Sequence, residues 1–582
     1  MKFPLTWRFI GLAGLAVGAV LRLMGLIGPQ LWLDEIIQIQ RFNHPAWSQA
    51  LADLRTETAP APLDYLVQLL FLSLAGLNEA GARLHAALAA IVALLVFCKL
   101  AEEMVRLIPS REGAAPEAAG QKGEGRDSHR PAEGVEERAR PASWQRFLPA
   151  TAVFLLGFYP LHIFYSGEGR PYSLFFLLTL TSFWLLLRAL RLQTTRSQPT
   201  REPAPQSRRA GGDGQPRQPL SSGQEELPNQ DNSPSRQTAD GRGKTDLFPF
   251  VLYGLALTSA LYTSFQGLVL AALQMAWVGW LWLSRSSPDA TGQRGGRPRQ
   301  DSLSEAAEQE GARSETRLSS AGRLAVRQSG LLPALISQAV ALLLFTPWIW
   351  WSYSQTQDEY VETFLSLDFL SRLIQESSGG SWPLSLLLLS LAGWGFTRLY
   401  RLRARGALWL LVIWLGAGLA MVLLLDAWRG YFFAARQILF LAPAGLLAAA
   451  LGWSLSPRLR RSWLLLLLAA SLGTGTVFLS DRKQQADWIA LAELMRQEVR
   501  GGDRIAAPGL DRVLAFRYPQ LPQRQIALDD LLERPPENAR VLLVRSRYLD
   551  ASQERQVTEI LQRIPTRQQF QLPGFHLYIL EP

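Results

Sequence analysis

Long apolar runs that recur along the whole chain are the feature that most limits its fold. A helix crosses the hydrocarbon core of a bilayer with about 20 predominantly apolar residues, and about eleven runs approach this length. They are residues 9–28, 84–105, 147–165, 172–190, two runs within 247–283, 331–351, 383–400, 408–425, 437–455 and 463–479. We therefore predict an all-α membrane protein, a bundle of about eleven transmembrane helices.

Very polar inserts separate some of these runs. The inserts at residues 109–145, 191–246 and 285–329 are rich in Pro, Gly, Ser and Arg and have too few apolar residues to pack a core. They explain why a chain that is 48% hydrophobic has a mean hydropathy of only +0.05. We predict that the inserts are disordered and, because they carry many arginines, cytoplasmic.

The positive charges also predict the orientation of the chain. Lys2 and Arg8 precede the first run and favour a cytoplasmic N-terminus. The short apolar stretch 66–77 is interpreted as a helix along the membrane surface, because a crossing there would put the arginine-rich insert 109–145 outside. The formal net charge of +10 is thus explained by topology, and no nucleic-acid partner is expected. We expect a multi-pass protein of the cell (inner) membrane whose C-terminal part is extracytoplasmic.

The chain divides into a transmembrane domain, residues 1–480, and a small extracytoplasmic α/β domain, residues 481–582. In the second domain the sequence predicts an amphipathic helix over 486–500 that ends at Gly501 and Gly502. It also predicts strands at 504–507, 541–544 and 575–580 and a helix at 553–563. Because no Gly-rich phosphate loop or nucleophile motif occurs there, we interpret this domain as structural or as a contact for an acceptor.

Ionisable residues gather in the loops that are predicted to lie outside. Asp34 and Glu35 follow the first span directly, and Glu168, Arg170 and Arg436 lie in later outer loops. Ionisable groups at membrane depth are costly, so they are candidates for function. Alternatively, the two acids mark only the end of a span that an interfacial tryptophan anchors.

Cysteine and histidine usage limits two other classes of site. Cys98 is the single cysteine of the sequence, so an intramolecular disulfide is impossible. The five histidines are scattered and lack the spacing of zinc ligands.

Several stretches of the chain, in this order, resemble one family. Residues 21–26, followed by Leu-Trp-Leu-Asp-Glu at 31–35, resemble the exit of the first span in glycosyltransferases that use polyprenyl-phosphate sugars. Tyr-Ser-Gly-Glu-Gly-Arg-Pro-Tyr at 165–172 resembles their outer-loop motif, and residues 436–443 resemble their Arg-Tyr-Leu-Leu…Pro motif. Residues 487–488 and 574–578 resemble the two ends of the extracytoplasmic tail in the same family. The family is the GT-C type, and the likeness is to bacterial relatives of protein O-mannosyltransferases and to lipid A aminoarabinose transferases.

Three positions depart from the family pattern. Residues 60–65 read Pro-Ala-Pro-Leu-Asp-Tyr where the family commonly has His-Pro-Pro-Leu-Tyr-Tyr, Ser264 replaces a histidine, and Gln437 replaces a tyrosine. No cofactor is therefore assigned, and whether a divalent cation assists stays open.

The resemblance implies transfer of a sugar from a polyprenyl-phosphate donor to an extracytoplasmic acceptor, which is a protein, a lipid or a glycan. Asp34 would take the proton from the acceptor hydroxyl, and Glu35 would orient Asp34 or the acceptor. Arg170 and Arg436 would hold the departing lipid phosphate, because guanidinium groups bind phosphate bidentately and stay ionised.

Further residues are supporting candidates. Arg22 is a third candidate for the phosphate, Glu168 would hold Arg170, and Tyr172 and Tyr65 would line the site. Simpler interpretations remain for most of them: Arg22 snorkels to the surface, Arg170 and Glu168 form a surface ion pair, and Tyr172 is an interfacial aromatic.

Other interpretations of the same loops also stay open. Arg436 could contact a lipid headgroup only. Five more acids could line the pocket, and we interpret them as solvated loop charges: Glu57, Asp64, Asp358, Glu359 and Glu362.

Two non-enzymatic functions compete with the transferase: a multi-span transporter or flippase of lipid-linked sugars, and a scaffold whose tail binds partners. Transporters usually keep polar or interrupted segments near the middle of the bilayer. Here the charged candidates gather at one surface, which favours the enzyme.

Overall fold

A computed structural model describes most of the chain outside the polar inserts. The described residues are 6–27, 31, 33–40, 62–108, 143–196, 247–286, 331–353, 367–429, 435–479, 488–510, 514, 518, 523–536, 539–546, 549 and 551–581. The predicted inserts lie largely outside these ranges. At their edges, however, one helix starts at Ser143 and another continues to Arg196, so the inserts are shorter than predicted.

Helices form the described chain up to residue 479. In order they are α1 (Thr6–Met24), α2 (Leu33–Gln40), α3 (Pro62–Ala75), α4 (Glu79–Arg106), α5 (Ser143–Gly157), α6 (Pro160–Ser166), α7 (Tyr172–Arg196), α8 (Phe248–Thr263), α9 (Gln266–Ser286), α10 (Leu331–Tyr353), α11 (Leu367–Ser377), α12 (Trp382–Arg401), α13 (Arg405–Val412), α14 (Gly418–Arg429), α15 (Ala442–Ser454), α16 (Pro457–Arg461) and α17 (Trp463–Leu479). A π-helical segment, Ile413–Ala417, joins α13 to α14, and 3-10 segments lie at Gly25–Ile27 and Ala435–Leu441.

Every predicted apolar run forms a helix, although not every helix is long. Among the described residues, seven helices are long and apolar enough to cross a membrane, or eight if the bent pair α5–α6 is one span. That pair bends by 58° at a break before Pro160. Three further apolar helices are shorter: Pro62–Ala75, Phe248–Thr263 and Leu465–Gly475. The chain is thus a multi-pass membrane protein, and the predicted number of about eleven crossings stays a prediction.

The first span packs against α5 at backbone contact distance. A Cβ atom added to Gly157 would lie 2.4 Å from the carbonyl oxygen of Gly14, and one added to Gly18 would lie 2.8 Å from the Cα of Gly157. Because only glycine permits this approach, the two helices meet without intervening side chains. The contact brings the end of α1 to the bend between α5 and α6.

The C-terminal part is a small α/β unit. It contains α18 (Trp488–Glu498), β1 (Arg504–Ala506), α19 (Leu528–Glu533), β2 (Val541–Ser546), α20 (Ala551–Arg563), β3 (Thr566–Leu572) and β4 (Phe575–Leu580). The strand order in the sheet is β1-β2-β4-β3, with β1 parallel to β2 and the other pairs antiparallel. The predicted α/β class is confirmed here, and β3 is an additional strand that the sequence pattern did not indicate.

One hydrophobic core joins this α/β unit to the helices near the start of the chain. Ile36 and Ile39 of α2 and Leu69 of α3 belong to the same buried cluster as Trp488 of α18 and Phe575 of β4. The unit therefore shares a buried core with α2, the helix that carries the two candidate acids.

Candidate active site

Glu35 is the anchor that fixes α2 to the rest of the site. Its carboxylate is completely buried and accepts two hydrogen bonds from Arg83 of α4, with Nε–Oε1 and Nη2–Oε2 distances of 3.0 and 2.9 Å. It also accepts a 2.6 Å hydrogen bond from the backbone N–H of Gly169. Glu35 thus joins α2, α4 and the loop between α6 and α7.

That loop approaches its neighbours closely because two of its residues are glycines. Gly167 packs against Gly25, and a Cβ atom added to Gly169 would lie 2.7 Å from the carbonyl oxygen of Ala82. The Gln68 amide holds both sides together, donating 3.0 Å hydrogen bonds to the carbonyl oxygens of Ala82 and Gly169. The loop is therefore rigidly placed where it presents Arg170.

Behind Arg170 lies a buried polar chain. Arg170 Nη1 donates to Gln38 Oε1 at 3.3 Å, and Gln38 Nε2 donates to Asp64 Oδ2 at 3.2 Å. Asp64 Oδ1 in turn lies 3.4 Å from His85 Nε2, and both side chains have 0% exposure. The interpretation of Asp64 as a solvated loop charge is therefore wrong. The other four acids of that set lie outside the described residues.

Arg170 and Arg436 line one cavity of about 500 Å³. Its lining surface is largely apolar and includes apolar side chains of α7, α9 and α14. The polar side chains of the wall include Arg170, Tyr172, Ser264, Asp426, Arg436 and Gln437. Two cationic groups that are far apart in sequence therefore meet in a largely apolar chamber, as the prediction from the outer loops required.

Arg436 is positioned by the 3-10 segment Ala435–Leu441. Trp414 is fully buried in the π-helical segment, and its indole N–H donates a 3.0 Å hydrogen bond to the carbonyl oxygen of Phe440. The Arg436 guanidinium lies 5.8 Å from the centre of the Tyr172 ring, within the range of a cation–π contact. Tyr172 lines the same cavity as both cationic groups.

Glu168 lies in the same loop as Arg170, and several neighbouring charges shift the pKa of its carboxyl group. Burial raises the pKa of its carboxyl group to about 8, and the negative charge of Glu35 acts in the same direction. Arg436, Arg170 and Arg83 oppose this shift. Because its pKa is raised, the Glu168 carboxyl group is mostly protonated at neutral pH and adds no negative charge beside the two cavity arginines.

The remaining predicted residues lie in different surroundings. Asp34 belongs to α2 and directly precedes Glu35, but its side chain lies outside the described part of the structure. Tyr65 is buried in the hydrophobic core shared by α2, α3 and the α/β unit. It supports the position of α2 through packing.

Arg22 is not at the surface. It has 0% exposure, and its guanidinium donates to the carbonyl oxygens of Gly18, Leu156 and Gly157 at 2.7, 2.9 and 3.1 Å. It also lies 2.7 Å from Nδ1 of His162. The expectation that Arg22 snorkels is therefore wrong, because carbonyl groups of α1 and of the last turn of α5 accept its hydrogen bonds inside the protein.

Sequence reasoning did not single out Arg83, Gln38 or Asp426. A possible signal for Arg83 was present, since it is a charged residue inside the second apolar run. Among the described residues, no three His, Cys, Asp or Glu side chains are grouped closely enough to hold a metal ion.

A scan against protein-family models gives no match, and a search of curated proteins gives none either. The chain is similar to the structure of ArnT from Cupriavidus metallidurans in the apo state, at 14% identity and a TM-score of 0.52, covering 99% of this chain and 98% of that one. The structure of that protein bound to undecaprenyl phosphate matches at 14% identity and a TM-score of 0.51, with the same coverage. Archaeal AglB from Archaeoglobus fulgidus matches at 11% identity and a TM-score of 0.45, covering 89% of this chain and 64% of AglB. The ArnT comparison confirms, at the level of the fold, the predicted helical membrane bundle with its small C-terminal domain.

Proposed function

We propose that this protein is an integral-membrane glycosyltransferase that moves a sugar from a polyprenyl-phosphate donor to an acceptor outside the cytoplasm. The observation that carries the proposal is the cavity of about 500 Å³ in which Arg170 and Arg436 meet apolar walls. A lipid phosphate has the matching chemistry, since its anionic head needs cationic hydrogen-bond donors and its isoprenoid chain needs an apolar surface. ArnT, which has this fold, is known in a complex with undecaprenyl phosphate.

In the proposed reaction, the acceptor hydroxyl oxygen attacks the anomeric carbon of the sugar. The bond between that carbon and the phosphate oxygen breaks, and polyprenyl phosphate leaves with the bonding electrons. Asp34 takes the acceptor proton. Arg170 and Arg436 stabilise the charge that develops on the departing phosphate. Glu35 positions Asp34 by clamping α2 to Arg83 and Gly169.

The orientation of the chain is part of the same proposal. A cytoplasmic N-terminus places the cavity loops and residues 481–582 outside, in the inner membrane of a bacterium. The proposed partners are the lipid-linked sugar, the acceptor and the bilayer itself. No cofactor is assigned.

A panel of polyprenyl-phosphate hexoses and pentoses, incubated with the full-length protein in detergent, tests the function. We expect one donor to release free polyprenyl phosphate when acceptor membranes are supplied. Asp34→Asn should lower this rate by about 100-fold or more, since general base catalysis contributes on that scale. Asp530→Asn, a change at an exposed acid of α19, serves as the matched control.

The same assay separates the transferase from a transporter or flippase. A transporter moves its substrate between two compartments without breaking the bond between sugar and phosphate. In detergent there are no compartments, so a transporter would release no polyprenyl phosphate from the donor. Full donor consumption by Asp34→Asn would instead reject Asp34 as the base while leaving the transferase intact.

A further inference from the structure

The cavity contains one carboxylate that the proposed reaction does not use. Asp426 lies near the end of α14 and contributes to the cavity wall. Its exposure is only 1%, and within the described part of the chain neither carboxylate oxygen accepts a hydrogen bond. Asp426 is thus a buried acceptor without a partner of its own.

Within the described part of the chain, the cavity residues on its own helix offer Asp426 no side-chain hydrogen-bond donor. The cavity-lining residues on its own helix, Met421, Val422 and Leu425, are apolar. The cavity arginines contact other groups: Arg170 donates a hydrogen bond to Gln38, and Arg436 lies over the Tyr172 ring. A buried polar group without a hydrogen bond destabilises a fold, so Asp426 is expected to lower the stability of the folded protein.

We propose that Asp426 binds the sugar of the donor by accepting hydrogen bonds from its hydroxyl groups. This inference rests on the proposed function. The arginines suit the phosphate and the apolar helices suit the isoprenoid chain, which leaves the sugar as the part of the donor that offers hydroxyl donors. A carboxylate accepts from two hydroxyl groups at once, and such charge-assisted hydrogen bonds are stronger than neutral ones.

The proposal makes Asp426 a specificity residue, distinct from the phosphate clamp. It predicts that Asp426 contributes to the binding of sugar-bearing donor and contributes nothing to the binding of polyprenyl phosphate that lacks a sugar. The arginines should contribute to both. This difference separates recognition of the sugar from a general effect on the cavity.

The experiment compares Asp426→Asn with the wild-type full-length protein in detergent. Two quantities are measured: kcat/KM for the donor that the wild type consumes, and Kd for sugar-free polyprenyl phosphate. We expect Asp426→Asn to lower kcat/KM by about 10- to 100-fold, the scale of a charge-assisted hydrogen bond, and to leave Kd unchanged. Arg436→Gln should weaken both, and Asp530→Asn should change neither.

Replacing a buried unpaired carboxylate should also preserve or raise the thermal unfolding temperature. Asp426→Leu provides a second variant that matches the apolar neighbours, in case the amide is poorly tolerated. If both variants fail to fold, Asp426 has a structural role and the inference is overturned.

Three other outcomes have distinct meanings. Undiminished kcat/KM in Asp426→Asn, with a wild type that consumes donor, overturns the inference and leaves the proposed function standing. Equal losses in kcat/KM and in affinity for the sugar-free lipid also overturn it. A wild type that consumes no donor overturns the proposed function itself, and this inference with it.

Discussion

Glu35 and Arg83 show how single residues fix the geometry of the candidate site. The two side chains have 0% and 1% exposure and are joined by two parallel hydrogen bonds. A buried ion pair adds little net stability, because desolvation offsets the attraction, but removing one partner is costly. The pair therefore serves chiefly to hold α2 in one position relative to α4 and Gly169.

Glu168 should make the proposed phosphate site sensitive to pH. Its raised pKa of about 8 means that the carboxyl group is neutral below this value and becomes negative above it. We expect the affinity for polyprenyl phosphate to fall by about tenfold between about pH 7 and pH 9.5, because the new charge weakens the pull of Arg170 and Arg436. Titration of the Kd with pH measures this, and Glu168→Gln should show a flat profile.

The raised pKa of Glu168 also determines how the free energy of unfolding changes with pH. The pKa of Glu168 is raised from 4.5 to about 8 in the folded protein, so the folded state keeps a proton that the unfolded state has already lost. The free energy of unfolding should therefore fall as pH rises between these values, and less so in Glu168→Gln. A wild-type affinity that matches the variant at every pH would contradict a raised pKa for this group.

At the residue scale, sequence predicted the pair Arg170 and Arg436 but not their surroundings. Both lie in loops whose motifs and predicted topology assign them to one side of a membrane, and this prediction uses only nearby residues of the sequence. Whether Asp64 or Arg22 reaches solvent depends on which helices pack over them. That packing joins segments more than a hundred residues apart, as the Arg22–Gly157 hydrogen bond does.

At the scale of elements, close helix contacts depend on glycine. A Cβ atom added to Gly395 of α12 would lie 2.0 Å from the carbonyl oxygen of Ala448 in α15, and one on Gly452 would lie 2.0 Å from that of Leu391. The two helices meet through their backbones, as is common between membrane helices. Since α15 follows directly on the segment that carries Arg436, this contact also supports the cavity.

Gly395→Ala should destabilise the protein, because the new methyl group collides with backbone that cannot move away. We expect a loss of about 1–3 kcal/mol, the usual cost of overpacking, seen as a lower unfolding temperature in detergent. Gly393→Ala is the matched control in the same helix, since an added Cβ there meets nothing within 4 Å. Equal unfolding temperatures for the two variants would argue against this close contact.

The helices and strands could be predicted from the sequence where it contains a long apolar run or a regular pattern of apolar residues. Each apolar run formed a helix, and three strands of the sheet were found near their predicted positions. Strand β3 was missed because its sequence, Thr-Arg-Gln-Gln-Phe-Gln-Leu, is polar and mostly exposed at the edge of the sheet. The 58° bend before Pro160 was also missed, since a continuous apolar run does not reveal where its axis changes direction.

At the scale of the whole molecule, the α/β unit helps to hold α2 in place through a buried core that the two share. Trp488 has 2% exposure and lies in the core that also contains Ile36 and Ile39 of α2. Its edge-on contact with Phe575, at a ring distance of 4.5 Å, links α18 to the sheet. Of the two interpretations of this domain, structural or a contact for an acceptor, the core that it shares with α2 favours the structural one.

Trp488→Ala should lower transfer although the residue is not in the cavity. Deleting a buried tryptophan costs about 3–5 kcal/mol locally, and the loss falls on the core beneath α2. We expect a lower kcat together with faster proteolysis of the α/β unit, and an unchanged Kd for polyprenyl phosphate. Ile489→Ala, at the next residue with 45% exposure, is the control. Normal transfer by Trp488→Ala would show that the position of α2 does not depend on this core.

The shared core also has a consequence for biogenesis. In the proposed orientation, α2 reaches the far side of the membrane early, whereas α18 and the sheet follow only after the preceding apolar helices have been inserted. Until then the apolar face formed by Ile36, Ile39 and Leu69 has no cover. We therefore expect the nascent chain to remain inactive, and open to chaperones on that side of the membrane, until α18 and the sheet have completed the core that they share with α2.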